Sequence, residues 1–180
     1  MTKNKLQIAD MNKKGLSLLE VLVVITIFAV LGILVTQSVI LTLQGSKKSE
    51  SIIRVRENLD YSLNIIERQI RNASFVYEDS TYLTQCSGTA STAIYYKDQN
   101  GKNSSFSCVN IGAGNSYIAS GSARLTSDTI KVTSCSFVCT QGTMTNPALL
   151  KVDLTMQEAS ASGIQSANVS ASTQIYLRND

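Results

Sequence analysis

From Leu16 to Gln44 the chain carries a single ionisable side chain, Glu20, in an otherwise almost wholly apolar run. No proline interrupts the sequence from there to Ala73, so the stretch reads as helix. At about 1.5 Å per residue the apolar part is about 43 Å long, more than the roughly 30 Å of a hydrocarbon core. A helix that is apolar all round must be covered by lipid or by other helices, and that requirement limits what the rest of the chain can be.

An ordinary cleaved secretory signal has a short apolar core followed by a small-residue cleavage site. Here the run is too long, no Ala-x-Ala site follows it, and Glu20 breaks its start. A plain single-pass anchor tolerates Glu20, because the cost of a charge, about 2.5 to 3.5 kcal/mol at mid-bilayer, falls toward the interface. Lys13, Lys14 and solvent could satisfy the carboxylate there. Tolerance does not explain the Gly-Leu-Ser-Leu-Leu-Glu pattern around it. Lys3, Lys5, Lys13 and Lys14 precede the run and only Lys47 and Lys48 follow closely, which places the N-terminus in the cytoplasm and the bulk of the chain outside.

The formal charge of +3 comes from those four leading lysines set against Asp10. From Leu16 onward basic and acidic side chains are equal in number, so no nucleic-acid footprint is predicted. The absence of histidine and tryptophan removes the usual general base and the commonest metal ligand, and no enzymatic activity and no cofactor are expected.

Past the apolar run, Ile52, Val55, Leu59, Ser62 or Leu63, Ile66, Ile70 and Ala73 recur every three or four residues. This marks one face of an amphipathic continuation of the same helix, Leu16 to Ala73, about 87 Å in all. Gly32 and Gly45 are the places where it would bend. After Ser74 the sequence turns to Ser, Thr, Asn and Gly with β-branched and aromatic runs. Two strand-like segments flank Gln99-Asn100-Gly101, a hairpin signal. Further strands are expected at Ser116 to Ala119, Thr129 to Val138, Leu149 to Met156 and Val169 to Leu177. The prediction is an α+β fold, a long N-terminal helix with an antiparallel β-sheet over its outer half.

Cys86, Cys108, Cys135 and Cys139 all lie in the exported part and read as two disulfides. Extended residues four apart lie about 13 Å from each other, so Cys135 could pair with Cys139 only across a bulge or turn. All three connectivities stay open; Cys86 with Cys108 and Cys135 with Cys139 is favoured, because each links segments near in sequence. No metal site is expected: Asp79, Asp98, Asp128 and Asp153 sit in no calcium-loop pattern. The seven tyrosines read as packing residues rather than base-stacking ones, since no cluster of Lys or Arg accompanies them.

Lys13-Lys14-Gly15 followed by Leu16-Ser17-Leu18-Leu19-Glu20 and a long apolar helix resembles the class III signal of type IV prepilins and pseudopilins. The resemblance implies recognition of Lys13 and Lys14 and cleavage after Gly15 by a prepilin peptidase. It implies N-methylation of Leu16 and a role for Glu20, fifth residue of the mature chain, in setting assembly register against an N-terminal amine. Leu16 replaces the phenylalanine common at that position, and Met11 offers a second start that leaves a leader of usual length. Major pilins carry a helix-bending proline at the position of Gln37, and this chain does not. "RENLDYSLNIIERQIRNAS", "DTIKVTSCSF", "LLKVDLTM" and "STQIYLRN" resemble the W-type minor pilins and J-type minor pseudopilins.

The expected organisation is a leader at 1–15, a transmembrane half-helix at 16–44, an amphipathic half-helix at 45–73 and an extracytoplasmic β-rich domain at 74–180. The expected function is that of a minor pilin, which helps start and cap a type IV pilus. It would sit in the inner membrane, with other minor and major pilins, the assembly platform and its ATPase as partners. A minor pseudopilin of a type II secretion system is the alternative, which neighbouring genes would discriminate. A DNA-uptake pseudopilin or a surface binding protein are further readings, and the last would keep its first fifteen residues.

Overall fold

The computed structural model describes residues 17–177 except 84, 143–146, 161–165 and 167. One helix, α1 (Leu18–Arg71), is followed by nine strands: β1 (Phe75–Tyr77), β2 (Ser87–Ser91), β3 (Ala93–Lys97), β4 (Asn103–Val109), β5 (Tyr117–Ser120), β6 (Ala123–Arg124), β7 (Ile130–Thr140), β8 (Leu149–Glu158) and β9 (Asn168–Tyr176). The chain divides into two units, one ending at Leu43 and one beginning at Gln44. The helix is continuous through both Gly32 and Gly45.

In the first unit every described residue is exposed. In the second, Ser51, Val55, Leu59, Ser62, Leu63, Ile66 and Ile70 of α1 are buried, which is the expected stripe with Ser51 in place of Ile52. Glu and Arg on the opposite face pair one turn apart, Glu50 with Arg54 at 2.5 Å and Glu67 with Arg71 at 2.7 Å. The helix ends with Arg68 and Arg71 in its last turn, where cations complement the negative end of the dipole, and the Ala73 N–H closes onto the Ile70 carbonyl.

The strands form two antiparallel sheets rather than the one expected, in orders β1-β3-β4-β5-β6 and β2-β7-β8-β9. The split arises because β2, next in sequence to β1, leaves its neighbours and pairs with β7. One apolar core joins the helix stripe to Ile94, Tyr96, Phe106 and Ile118 of the first sheet and Val132, Phe137, Leu150, Val152, Leu154, Met156 and Ile175 of the second. Fully burying a side chain of this size contributes about 1.5 to 3 kcal/mol. Alternation is cleanest on β8, where Leu150, Val152, Leu154 and Met156 point inward.

Polar contacts fasten the pieces. The Ser116 hydroxyl donates to the Val132 carbonyl at 2.9 Å and accepts from the Val132 N–H at 2.8 Å. It thereby pairs backbone groups at the irregularity between Val132 and Ser134 of β7. The Asn58 side-chain carbonyl accepts the Ser127 N–H at 3.0 Å, and the Tyr96 hydroxyl donates to Gln69 at 2.5 Å. The β3–β4 hairpin turns through Gln99-Asn100-Gly101. Gly101 alone of the three has positive φ, 75°, and the Asp98 carboxylate accepts the N–H groups of Asn100 and Lys102 at 2.9 and 2.8 Å. Strands β1, β2 and β6 were not foreseen: they are short, and β2 and β6 lack apolar alternation.

Candidate functional site

The helix start is built locally. The Ser17 carbonyl accepts the N–H groups of Glu20 at 2.9 Å and Val21 at 3.1 Å, which makes Ser17 the cap residue, Leu18 the first helical position and Glu20 the third. Ser17-Leu18-Leu19-Glu20 has the Ser-x-x-Glu order of a capping box, although the Glu20 carboxylate does not reach back to the Ser17 N–H to close it. A carboxylate in the first turn also faces the positive end of the helix dipole. This local reason for Glu20 is one the sequence reading missed, although the signal was in plain view. Glu20 is exposed, and its carboxylate makes no hydrogen bond or ion pair among the described residues. Lys13, Lys14, Gly15 and Leu16 lie outside the described residues.

Beyond Glu20 the surface is predominantly apolar, with Gln37 and Ser38 among its few polar side chains. An 18-residue window reaches a mean hydropathy of 3.0, long and apolar enough to cross a membrane. The threonine hydroxyls that interrupt it fold back onto the helix: Thr26 donates to the Val23 carbonyl, Thr36 to Gly32 and Thr42 to Ser38, at 2.8, 2.8 and 2.9 Å. Such back-bonding leaves these hydroxyls with no unsatisfied donor on an apolar surface. What remains outward is a ladder of Leu, Ile and Val, with Leu31, Leu34 and Leu41 each at least half exposed.

The cysteines form two disulfides, but not in the favoured pairing. Cys86 is joined to Cys139 and Cys108 to Cys135, with Cα atoms 4.9 and 6.4 Å apart. The reason is the strand itself: Cys135, Phe137 and Cys139 alternate along an extended β7 and share one face, so the two cysteines lie too far apart to join. Each reaches another element instead. Cys139 meets Cys86 beside the β2–β7 pairing, and Cys135 reaches Cys108 on β4, which links the two sheets.

The aspartates are engaged separately. Asp98 holds the hairpin, Asp128 pairs with Arg124 at 2.6 Å and Asp153 with Lys151 at 3.0 Å, while Asp79 accepts from Thr81 at 2.8 Å. Among the described residues no group of three metal-ligating side chains comes together. Four of the seven tyrosines pack on other rings: Tyr96 stacks on Phe106 at 5.4 Å, and Tyr77, Tyr82 and Tyr95 meet edge to face at 5.7 and 5.8 Å, whereas Tyr61 and Tyr176 are exposed. Burial, with Tyr95 and Tyr96 alongside, pushes the Tyr82 hydroxyl pKa above its usual value.

Residues 10–36 match a family model described as the prokaryotic N-terminal methylation motif. No curated protein and no solved structure matches the chain. The matched segment runs from the basic residues before Gly15, which lie outside the described residues, into the exposed apolar helix.

Proposed function

We propose that this chain, whose N-terminal methylation motif supports a type IV pilin or pseudopilin carrying a class III signal, is a minor pilin. It is a structural subunit, processed by prepilin peptidase and assembled with other pilins. In this reading the leader 1–15 is removed after Gly15, with Lys13 and Lys14 as its recognition residues, and Leu16 becomes the methylated N-terminus. Residues 16–44 hold the subunit in the inner membrane with the N-terminus in the cytoplasm, 45–73 carry the β-rich domain 74–180, and that domain faces neighbouring subunits.

One observation carries the proposal: a fully exposed apolar helix whose only charge, Glu20, has no partner within its own described chain. While the subunit is stored, lipid covers the helix and Glu20 lies near the interface. In a filament the helices cover one another, and a carboxylate drawn into that bundle is costly unless an amine meets it. An apolar helix slides along its neighbours with little penalty, so the pairing of Glu20 with an N-terminal amine fixes the register. The choice of a minor rather than a major subunit rests on Gln37, where a bending proline is absent and the helix is unbroken.

Glu20→Ala tests the role. Membrane insertion and leader cleavage should persist while incorporation into sheared filaments, followed by immunoblot, falls at least tenfold. Incorporation at the wild-type level would refute it.

A further inference from the structure

A sheet edge exposes unpaired backbone groups and invites pairing with another chain, and folded proteins normally blunt such edges. Among the described residues the two sheets have four edge strands, β1, β6, β2 and β9. Three are blunted in recognised ways. β1 has 3 residues and β6 has 2, and β2 is interrupted by a register shift between Ser87 and Ala90, where Gly88 takes φ of 89°.

β9 has none of these devices. It runs 9 residues, Asn-Val-Ser-Ala-Ser-Thr-Gln-Ile-Tyr, without charge or proline, and pairs with β8 in unbroken register from Asn168 to Tyr176. The Leu177 N–H donates to the Ala148 carbonyl at 2.8 Å, which sets the phase of the ladder. Odd-numbered residues direct their N–H and C=O toward β8. By the alternation of an antiparallel pair, Asn168, Ser170, Ser172, Gln174 and Tyr176 direct theirs away from it. On the core side, Val169 and Ala171 remain only partly buried, whereas Ile175 is fully buried. The sheet lacks cover at this margin.

We propose that β9 is a self-association edge, whose occupant is the β9 of a second copy of this chain, antiparallel and centred on Ser172. The second copy follows from complementarity. Of the four edges among the described residues only β9 is long, regular and uncharged, so between copies of this chain β9 matches β9 and no other edge. The Ser172 register sets Ser170 opposite Gln174 and Asn168 opposite Tyr176, and every outward backbone group finds a partner, about ten hydrogen bonds in all. It places Val169 opposite Ile175 and Ala171 opposite Thr173 on the core face, with no like charges opposed. This inference is independent of the filament reading.

The register makes the test sharp, because no free cysteine is present among the described residues and all four cysteines are disulfide-bonded. The full-length chain in detergent would carry one added thiol and be mildly oxidised. Ser172→Cys should cross-link to a dimer; Ser170→Cys and Gln174→Cys should each stay monomeric alone and cross-link at least tenfold better when mixed. Ser91→Cys, on the blunted β2 edge, should stay monomeric. Ser170→Pro removes an outward N–H and no backbone bond to β8, its one loss on that side being the exposed hydroxyl contact with Thr155 at 2.9 Å, so it should abolish the Ser172→Cys dimer while leaving the melting temperature near wild type. If that variant fails to fold, Ser170→Lys with Gln174→Lys sets ammonium groups opposite each other and should have the same effect. A monomeric Ser172→Cys, equal cross-linking of the single and mixed variants, or dimers that persist in a folded edge variant would overturn the proposal.

Discussion

Leu18–Leu43 and Gln44–Arg71 are parts of one helix that treat apolar side chains in opposite ways. In the first, Leu, Ile and Val cover all sides and none is buried; in the second most of them fall on one stripe, which is buried, and Ile53 is exposed off it. Backbone propensity does not separate the two, since both are helical. The difference is in what covers them. The second half brings its own cover in the form of two sheets, whereas the first has turned its threonine hydroxyls back onto the helix and left a surface that needs lipid or other helices. A chain built this way has a domain that folds on internal contacts and an element whose surroundings come from elsewhere.

The comparison can be broken hardest at the disulfides, which serve only the second unit. They close loops of 53 and 27 residues, and the chain-entropy relation gives about 4 and about 3.5 kcal/mol for removing each alone. Paired Cys86→Ser/Cys139→Ser and Cys108→Ser/Cys135→Ser substitutions should therefore lower the unfolding free energy of the outer domain by those amounts in denaturant titrations. Helical circular dichroism from the apolar half should remain. Peptide mapping should find the Cys86–Cys139 and Cys108–Cys135 links, and a Cys135–Cys139 link would contradict the β7 geometry.

Truncating one apolar residue in each half sharpens the contrast. Ile66 is wholly buried and Ile33 is 59% exposed. Ile66→Ala should cost about 3 kcal/mol of domain stability, and Ile33→Ala less than about 0.5 kcal/mol, both read from thermal unfolding in detergent. Equal effects would mean that the halves are not distinct. Asn58→Ala removes the acceptor for the Ser127 N–H and should cost about 1 kcal/mol.

The smallest effect is titratable. Burial pushes the Glu78 carboxyl up. The Ser87 N–H and hydroxyl, with the N–H groups of Thr89 and Gly88, outweigh it and hold the pKa below the usual 4.5. A depressed folded-state value stabilises at pH above the unfolded pKa and loses that contribution as pH falls through the folded one. Domain stability should thus decline as pH drops below 4.5, and Glu78→Gln should flatten the part of that decline due to this group. An unchanged slope would remove Glu78 from the account.

What could be read in advance follows how local each feature is. The helix, its stripe, the 99–101 turn and the paired strands β8 and β9 announce themselves because their period is written into neighbouring residues. Ser51 was harder, since a serine is buried by what packs on it and nothing in its own type says so; Ser62 could be placed only by its spacing in the stripe. The division into two sheets and the disulfide pairing depend on β2 crossing to β7, a contact between residues far apart in sequence that no local pattern encodes. At the helix start the reverse holds. Ser17 and Glu20 sit three apart in a familiar capping order, and attention to the carboxylate as a lone charge hid its place in the first turn.

The most direct measurement is the mass of the N-terminus of the protein extracted from membranes of cells that contain prepilin peptidase. The account predicts a chain that begins at Leu16 and carries one methyl group on its amine. A chain that retains residues 1–15, or one that begins at Leu16 without the methyl group, would contradict it.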